Sequence, residues 1–304
     1  MKKNLTILVI IAIVGIVLYS IISTPSDNSN LNQNENNSTS TLENEENNSA
    51  NGTQTEEEDK TESVIGTSVE GRDIVAYHYG TGENEILFIG GVHGGYAWNS
   101  VLLAYQFIDY FQNNVIPDGL KVTVIPVLNA DGLNKVVGTT TVFLPTDVSP
   151  LSGTVAAGRF NANIVDLNRN FDCNWKDTGV WQTKPVSGGS AAFSEPESMA
   201  LKSYIEAHNP IAVIVFDSAA GGVFSSDCGN GILPETAKLN QLYVQASGYK
   251  TYDTFDFYEM SGDMTNWLAK KNIPAISVLM TTHGDTEWTK NLAGVKAIFE
   301  YYSK

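Results

Sequence analysis

The sequence predicts one α/β domain, with a mixed, mostly parallel twisted sheet flanked by helices on both faces. Three observations predict it. Short, almost wholly apolar runs such as residues 85–90 (EILFIG) and 211–216 (IAVIVF) read as strands buried on both sides. Segments with apolar residues at helical spacing alternate with them. The polar groups that could do chemistry fall where those runs end. His93 follows one, Asp217 ends another, and Thr281, Thr282 and His283 follow a third, which is where sites gather in such sheets.

Taken in order, residues 68–79 (SVEGRDIVAYHY) give a Glu-Gly turn and then an alternating strand. The run at 85–90 leads into a glycine-rich stretch, Gly90-Gly91-Val92-His93-Gly94-Gly95. Residues 99–111 carry Val101, Leu102, Tyr105, Ile108 and Phe111 at helical spacing. Residues 121–128 (KVTVIPVL) predict a strand, and Asn129-Ala130-Asp131-Gly132 a turn. Residues 134–181 are loop-rich. Ser194 and Glu197 have the spacing of a capping box that starts the next helix. The strand at 211–216 then precedes helices at 234–247 and 261–271, a strand at 275–280 and a final helix at 286–302.

The chain has 304 residues and a net charge of -16. Residues 24–62 hold ten acids and one lysine, hence about -9 of that charge. They are rich in Asn, Ser, Thr and Glu and nearly devoid of large apolar residues, so they predict a disordered acidic linker. The remainder, 63–304, is one mildly acidic domain. A phosphate backbone needs a basic footprint, so no nucleic acid partner is expected. Residues 1–23 place Lys2 and Lys3 before 18 almost wholly apolar residues. That length predicts an N-terminal membrane anchor, or a signal sequence if it is cleaved, and with it a cell-surface or secreted domain. Two cysteines, Cys173 and Cys228, suggest one disulfide in that setting; two buried free thiols are the alternative.

Residues 161–175 (NANIVDLNRNFDCNW) concentrate Asp166, Asn168, Arg169, Asn170 and Asp172 between large apolar side chains. Such a semi-buried polar turn must pair its groups with something. Arg169 is its focus, because a guanidinium takes a carboxylate with two parallel hydrogen bonds. A purely structural Arg–Asp pair is the other reading. His78 falls in a strand, His208 at a helix end where a cation is favoured, and His283 in a turn that it would orient by hydrogen bonds.

Six segments, SVEGRDI, IGGVHGG, PVLNADGL, NIVDLNRNF, FSEPES and NWLAKKNIPAISV, resemble in order the zinc carboxypeptidase (metallocarboxypeptidase A-like) family, across nearly all of residues 64–304. FDCNW and TTHGDTEW give it the look of the bacterial secreted type. The resemblance implies zinc held by two histidines and a glutamate with a water in the fourth place, and a later glutamate as general base. It also implies a clamp for the substrate's terminal carboxylate, made of an Asn-Arg pair, a second Arg and a Tyr.

By that resemblance His93 is the first metal histidine. The glutamate's place falls on Tyr96 or Ala97, Asp217 stands where the second histidine belongs, and Leu279 stands at the general-base position. His93 and Asp217 alone would hold zinc weakly. Asn168, Arg169, Arg159 and Tyr258 match the clamp, and Asp263, Met264 and Thr265 fall near the side-chain pocket. The expectation is a catalytically impaired pseudo-peptidase that binds C-terminal carboxylates of peptides or cell-wall muropeptides. A working zinc carboxypeptidase with non-standard ligands is the first alternative, and a structural cell-surface domain the second.

Overall fold

The computed structural model describes residues 61–304. Its centre is an eight-stranded sheet. In chain order the strands are β1 (Glu62–Thr67), β2 (Asp73–Tyr79), β3 (Asn84–Ile89), β4 (Leu120–Ile125), β7 (Ala212–Ser218), β8 (Gly222–Ser225), β9 (Lys250–Tyr252) and β10 (Ala275–Met280). Side by side they run β1-β2-β4-β3-β7-β10-β8-β9. The four central strands β4, β3, β7 and β10 are mutually parallel, and β2 and β8 flank them antiparallel. The sheet is mixed with a parallel heart, as the fully apolar runs predict. A separate hairpin pairs β5 (Thr178–Trp181), at the end of the stretch expected to be loop-rich, with β6 (Lys184–Ser187) just beyond it.

Both faces of the sheet are covered because its strands alternate two apolar sets. On β3, Ile86 and Phe88 join one core cluster, whereas Leu87 and Ile89 join the other. The first cluster packs against α1 (Trp98–Asn113), α5 (Pro234–Ser247) and α7 (Trp288–Tyr302), through residues such as Phe107, Tyr243 and Ile298. The second packs against α4 (Pro196–His208) and α6 (Met264–Lys270), through Leu201, Ile205, Trp267 and Leu268. Every one of these side chains is buried. At about 25 cal/mol per Å² of apolar surface, each stabilises the fold by roughly 1.5–3 kcal/mol.

Local chemistry overrides three sequence expectations. Asn129 to Gly132 is not a free turn. Asn129 is the N-cap of α2 (Ala130–Val137), and its side chain accepts from the Gly132 N–H at 2.8 Å. Ser194 does not cap α4. Glu195 holds that position without a side-chain cap, and Glu197 accepts from the Val69 N–H and Asn161 instead. Glu62, expected to end the linker, is instead the first residue of β1, which pairs with β2 over Glu62 to Thr67.

The cell-surface location expected from an N-terminal anchor is corrected. Among the described residues no helix is long and apolar enough to cross a membrane. Their longest, α1, has 16 residues, short of the ~20 a bilayer requires, and packs on the sheet. Residues 1–23, which carried that expectation, and 24–60 of the linker lie outside the described residues.

Candidate functional site

The C-terminal ends of the central strands open into a cavity of about 430 Å³. His93, Tyr96, Arg159, Asn168, Arg169, Asp217, Tyr258 and Leu279 all line it. Residues up to 186 positions apart in the chain therefore line one cavity. Ala97 is fully buried and does not line the cavity, so Tyr96 is the side chain that stands one turn after His93.

His93 comes off the loop after β3. That loop lies flat on α2, because Gly94 is in the left-handed region (φ 43°) and a Cβ there would meet the Leu133 nitrogen at 2.8 Å. The buried imidazole sits between two carboxylates. Nδ1 is 2.7 Å from Asp217 Oδ2, and Nε2 is 3.3 Å from Asp166 Oδ1. Neither approach has the angle of a hydrogen bond. Burial and the Arg159 charge oppose the imidazolium, but the two carboxylates outweigh them and raise the His93 pKa. Burial likewise opposes ionisation of Asp217, yet His93 holds its pKa below the usual value.

Asp166 is the hub that sequence reading treated only as part of a polar turn. It is wholly buried, and Arg159 contacts its Oδ2 through Nε at 2.9 Å and Nη2 at 2.8 Å. Burial would raise its pKa, but Arg159, Arg169 and His93 drive it far below the carboxylate range. The Arg159 guanidinium lies over the Trp181 ring at 4.7 Å and the Tyr96 ring at 5.7 Å. Tyr96 in turn meets Trp181 edge-on at 5.0 Å and His283 at 4.5 Å. His283, expected to serve its own turn, instead bonds Ser218 Oγ through Nδ1 at 2.8 Å on the cavity wall. Trp181 and Ser218 carried no signal in the sequence, since one comes from an unforeseen hairpin and the other from a strand end.

Arg169 sits in a 3₁₀ turn (Leu167–Arg169) capped by Asp166, whose side chain accepts from the Asn168 N–H. Its stem fills a slot between two glycines. A Cβ on Gly179 would lie 2.8 Å from Arg169 Cδ, and one on Gly262 only 2.1 Å from the Arg169 carbonyl oxygen. The guanidinium donates through Nε and Nη2 to Val180 O (3.2 and 2.8 Å) and through Nη1 to Asn168 O (2.7 Å). A guanidinium has five N–H groups, so these bonds leave one on each terminal nitrogen. Asn168 is held by Asp263 Oδ2 and the Met264 N–H, both within 3.0 Å. The Tyr258 ring lies 5.8 Å from the Arg169 guanidinium carbon, and burial raises its phenol pKa. Cys173 and Cys228 are disulfide-bonded, which ties the Arg169 turn to the segment after β8.

The donors do not fit a catalytic zinc. Such a site takes three protein ligands and a water, and among the described residues no cluster of three or more His, Cys, Asp or Glu could hold a metal. His93 and Asp217 touch each other, and Tyr96, which stands one turn on, offers an aromatic ring packed against three neighbours.

Comparison with known proteins matches residues 46–293 to the zinc carboxypeptidase family model. Two solved structures similar in fold are a murein-tripeptide amidase from Escherichia coli O157 (19% identity, 78% of this chain and 90% of that one, TM-score 0.57) and carboxypeptidase A from Helicoverpa armigera (18%, 80% and 68%, TM-score 0.61). Among curated proteins, bacteriocin BCN5 of Clostridium perfringens is 29% identical over 235 residues. That match covers 74% of this chain but 23% of the bacteriocin, so the chain spans about a quarter of that relative's length.

Proposed function

This chain belongs to the zinc carboxypeptidase family, and we propose that its domain captures the free C-terminal carboxylate of a peptide or muropeptide without efficient hydrolysis. The observation that carries the reading is the Arg169 guanidinium. It is fixed by two backbone carbonyls, lines the cavity, and keeps one N–H on each terminal nitrogen for a bidentate carboxylate. Asn168, Arg159 and Tyr258 on the same wall can complete the grip. That a murein-tripeptide amidase shares the fold supports muropeptides among the ligands.

The reading of impaired chemistry rests on the other half of the cavity. A general base must reach the proton it removes, and Leu279, on β10 directly beside Asp217, has no group that could do so. Loss of such a base costs on the order of 10²–10⁴ in rate. Without a fitting zinc set, nothing in this wall supplies an activated water.

The test is calorimetric titration of one peptide with a free and an amidated C-terminus. Binding that disappears on amidation supports the clamp; equal binding of both forms removes it. A second reading, an active zinc carboxypeptidase with altered ligands, is favoured by one observation. Both nitrogens of buried His93 lack an aligned hydrogen-bond partner. Stoichiometric zinc together with release of C-terminal residues would establish that reading instead.

A further inference from the structure

The hydrogen bonds around Ser218 fix the tautomer of His283. Asn99, wholly buried in the first turn of α1, donates through Nδ2 to Thr282 O at 2.8 Å and to Asp285 O at 2.9 Å. Those two carbonyls set the orientation of its amide, so Oδ1 is left as an acceptor. The Ser218 hydroxyl donates to that Oδ1 at 2.9 Å. A hydroxyl has one proton, so the 2.8 Å bond between Ser218 Oγ and His283 Nδ1 is donated by the ring. Nδ1 therefore carries the hydrogen, and Nε2 carries the lone pair. Burial lowers the His283 pKa, which favours this neutral form near neutral pH.

Among the described residues Nε2 meets no hydrogen-bond partner. Unlike the sealed nitrogens of His93, it stays accessible, on a ring that lines the cavity. The clamp residues on the cavity wall offer N–H groups, and the carboxylates there are already engaged. Asp217 accepts from the Ser218 N–H at 2.8 Å and lies against His93. Asp263 accepts from Asn168, the Thr265 hydroxyl and the Asn266 N–H. A peptide lying here finds donors for its carboxylate and carbonyls. Its backbone N–H groups need acceptors, because a buried N–H left unpaired weakens binding.

Arg169 and His283 stand toward opposite faces of the sheet. Leu167 and Phe171, on either side of Arg169, belong to the core under α4 and α6. Met280, three residues before His283, belongs to the core under α1, and Asn99 of α1 holds the loop that follows it. Successive contacts join the two sides: Asp166 to His93, His93 to Asp217, and Ser218 to His283. A peptide held by its carboxylate at Arg169 and running back across the strand ends therefore passes His283 with residues upstream of its last. Resting on the carboxylate-capture reading above, we infer that His283 Nε2 accepts a backbone N–H of the captured peptide upstream of the terminal residue, and so selects an amide-linked chain over an ester-linked one.

The experiment titrates the full chain with tetra-alanine and with analogues in which an ester oxygen replaces the backbone N–H of the second, third or fourth residue. Tetra-alanine with an amidated end is the control. Replacing the N–H of the second or the third residue is expected to weaken binding roughly 5- to 30-fold. In His283→Phe, which keeps a ring against Tyr96 but has no acceptor, that penalty is expected to fall below about twofold. No penalty at either upstream position, or a penalty undiminished in His283→Phe, overturns the inference. Where His283→Phe fails to fold, nitrogen NMR of the natural protein decides. Nε2 is expected to resonate as an unprotonated nitrogen and to shift when tetra-alanine binds but not when the weak ester binds; a protonated Nε2, or equal shifts with both, overturns the inference. Loss of binding on amidation without any ester effect overturns this inference alone. Binding indifferent to amidation overturns the carboxylate reading, and this inference falls with it.

Discussion

His93 Nδ1 lies 2.7 Å from Asp217 Oδ2, closer than two ligands of one tetrahedral zinc would stand. Ligand atoms each about 2.0–2.2 Å from the metal are separated by well over 3 Å. At this spacing the two side chains pair directly, with His93 buried and Asp217 partly buried. The protein purified in the presence of zinc is expected to carry well below one equivalent, and zinc is expected to leave its melting temperature unchanged. The triple variant Tyr96→Glu, Asp217→His and Leu279→Glu rebuilds the family's donors on the same backbone positions. It is expected to take up stoichiometric zinc and to be stabilised by it, read by metal analysis and thermal melting. A triple variant that folds but gains no zinc would show that these positions do not converge as the cavity implies.

Asp166 holds the other side of the same imidazole and both close nitrogens of Arg159. All three partners are buried. Removing one member of a buried ion pair leaves the others uncompensated and costs about 3–5 kcal/mol. Asp166→Ala is accordingly expected to lose stability in that range by denaturant unfolding, with an unchanged m-value. A loss below 1 kcal/mol would mean that Arg159 finds solvent or another partner, and that Asp166 is no hub.

The disulfide between Cys173 and Cys228 closes a loop across a sequence separation of 55. Restriction of the unfolded chain by a loop of that size contributes about 4 kcal/mol in the chain-entropy account. The Cys173→Ser, Cys228→Ser double variant is expected to lose about that much. It is also expected to bind carboxylate ligands less tightly, since Cys173 O accepts from the Gly262 N–H beside Arg169. Full stability of the double variant would show that the bridge merely joins surfaces already fixed by packing.

The sequence made the strands and helices around this cavity legible where apolar period and length agreed. The ranges 234–247 and 275–280 coincide with α5 and β10. It failed at β8 and β9, which have four and three residues, too few to establish a period. The capping box at Ser194 failed because tertiary partners for Glu197, Val69 and Asn161, lie more than 30 residues away in the chain. In the site, residue types marked His93, Asp217 and Arg169. They could not reveal that Asp166 joins His93 to Arg159, nor that Trp181 stacks on Arg159, because those relationships exist only once β5 and the Asp166 turn are folded together.

Acid sensitivity can be assigned at Glu287, which sits just before α7. Its carboxylate accepts from the Thr281 N–H and hydroxyl, the Tyr249 hydroxyl and Lys290, all within 2.9 Å. Burial opposes ionisation, but Lys290 and the other donors together hold its pKa below the usual value. A carboxyl whose folded pKa is depressed binds fewer protons folded than unfolded. Its contribution is complete above the unfolded pKa and fades as pH falls through the folded one. Natural stability should therefore decline as pH drops below the ordinary carboxylate range, while Glu287→Gln, already lacking the charge, should decline less steeply over that window. The difference between the two unfolding free energies is expected to be largest near neutral pH and to shrink in acid. A difference that stays constant from neutral to strongly acidic pH would show that Glu287 acts by packing and neutral hydrogen bonds, with no part played by its charge.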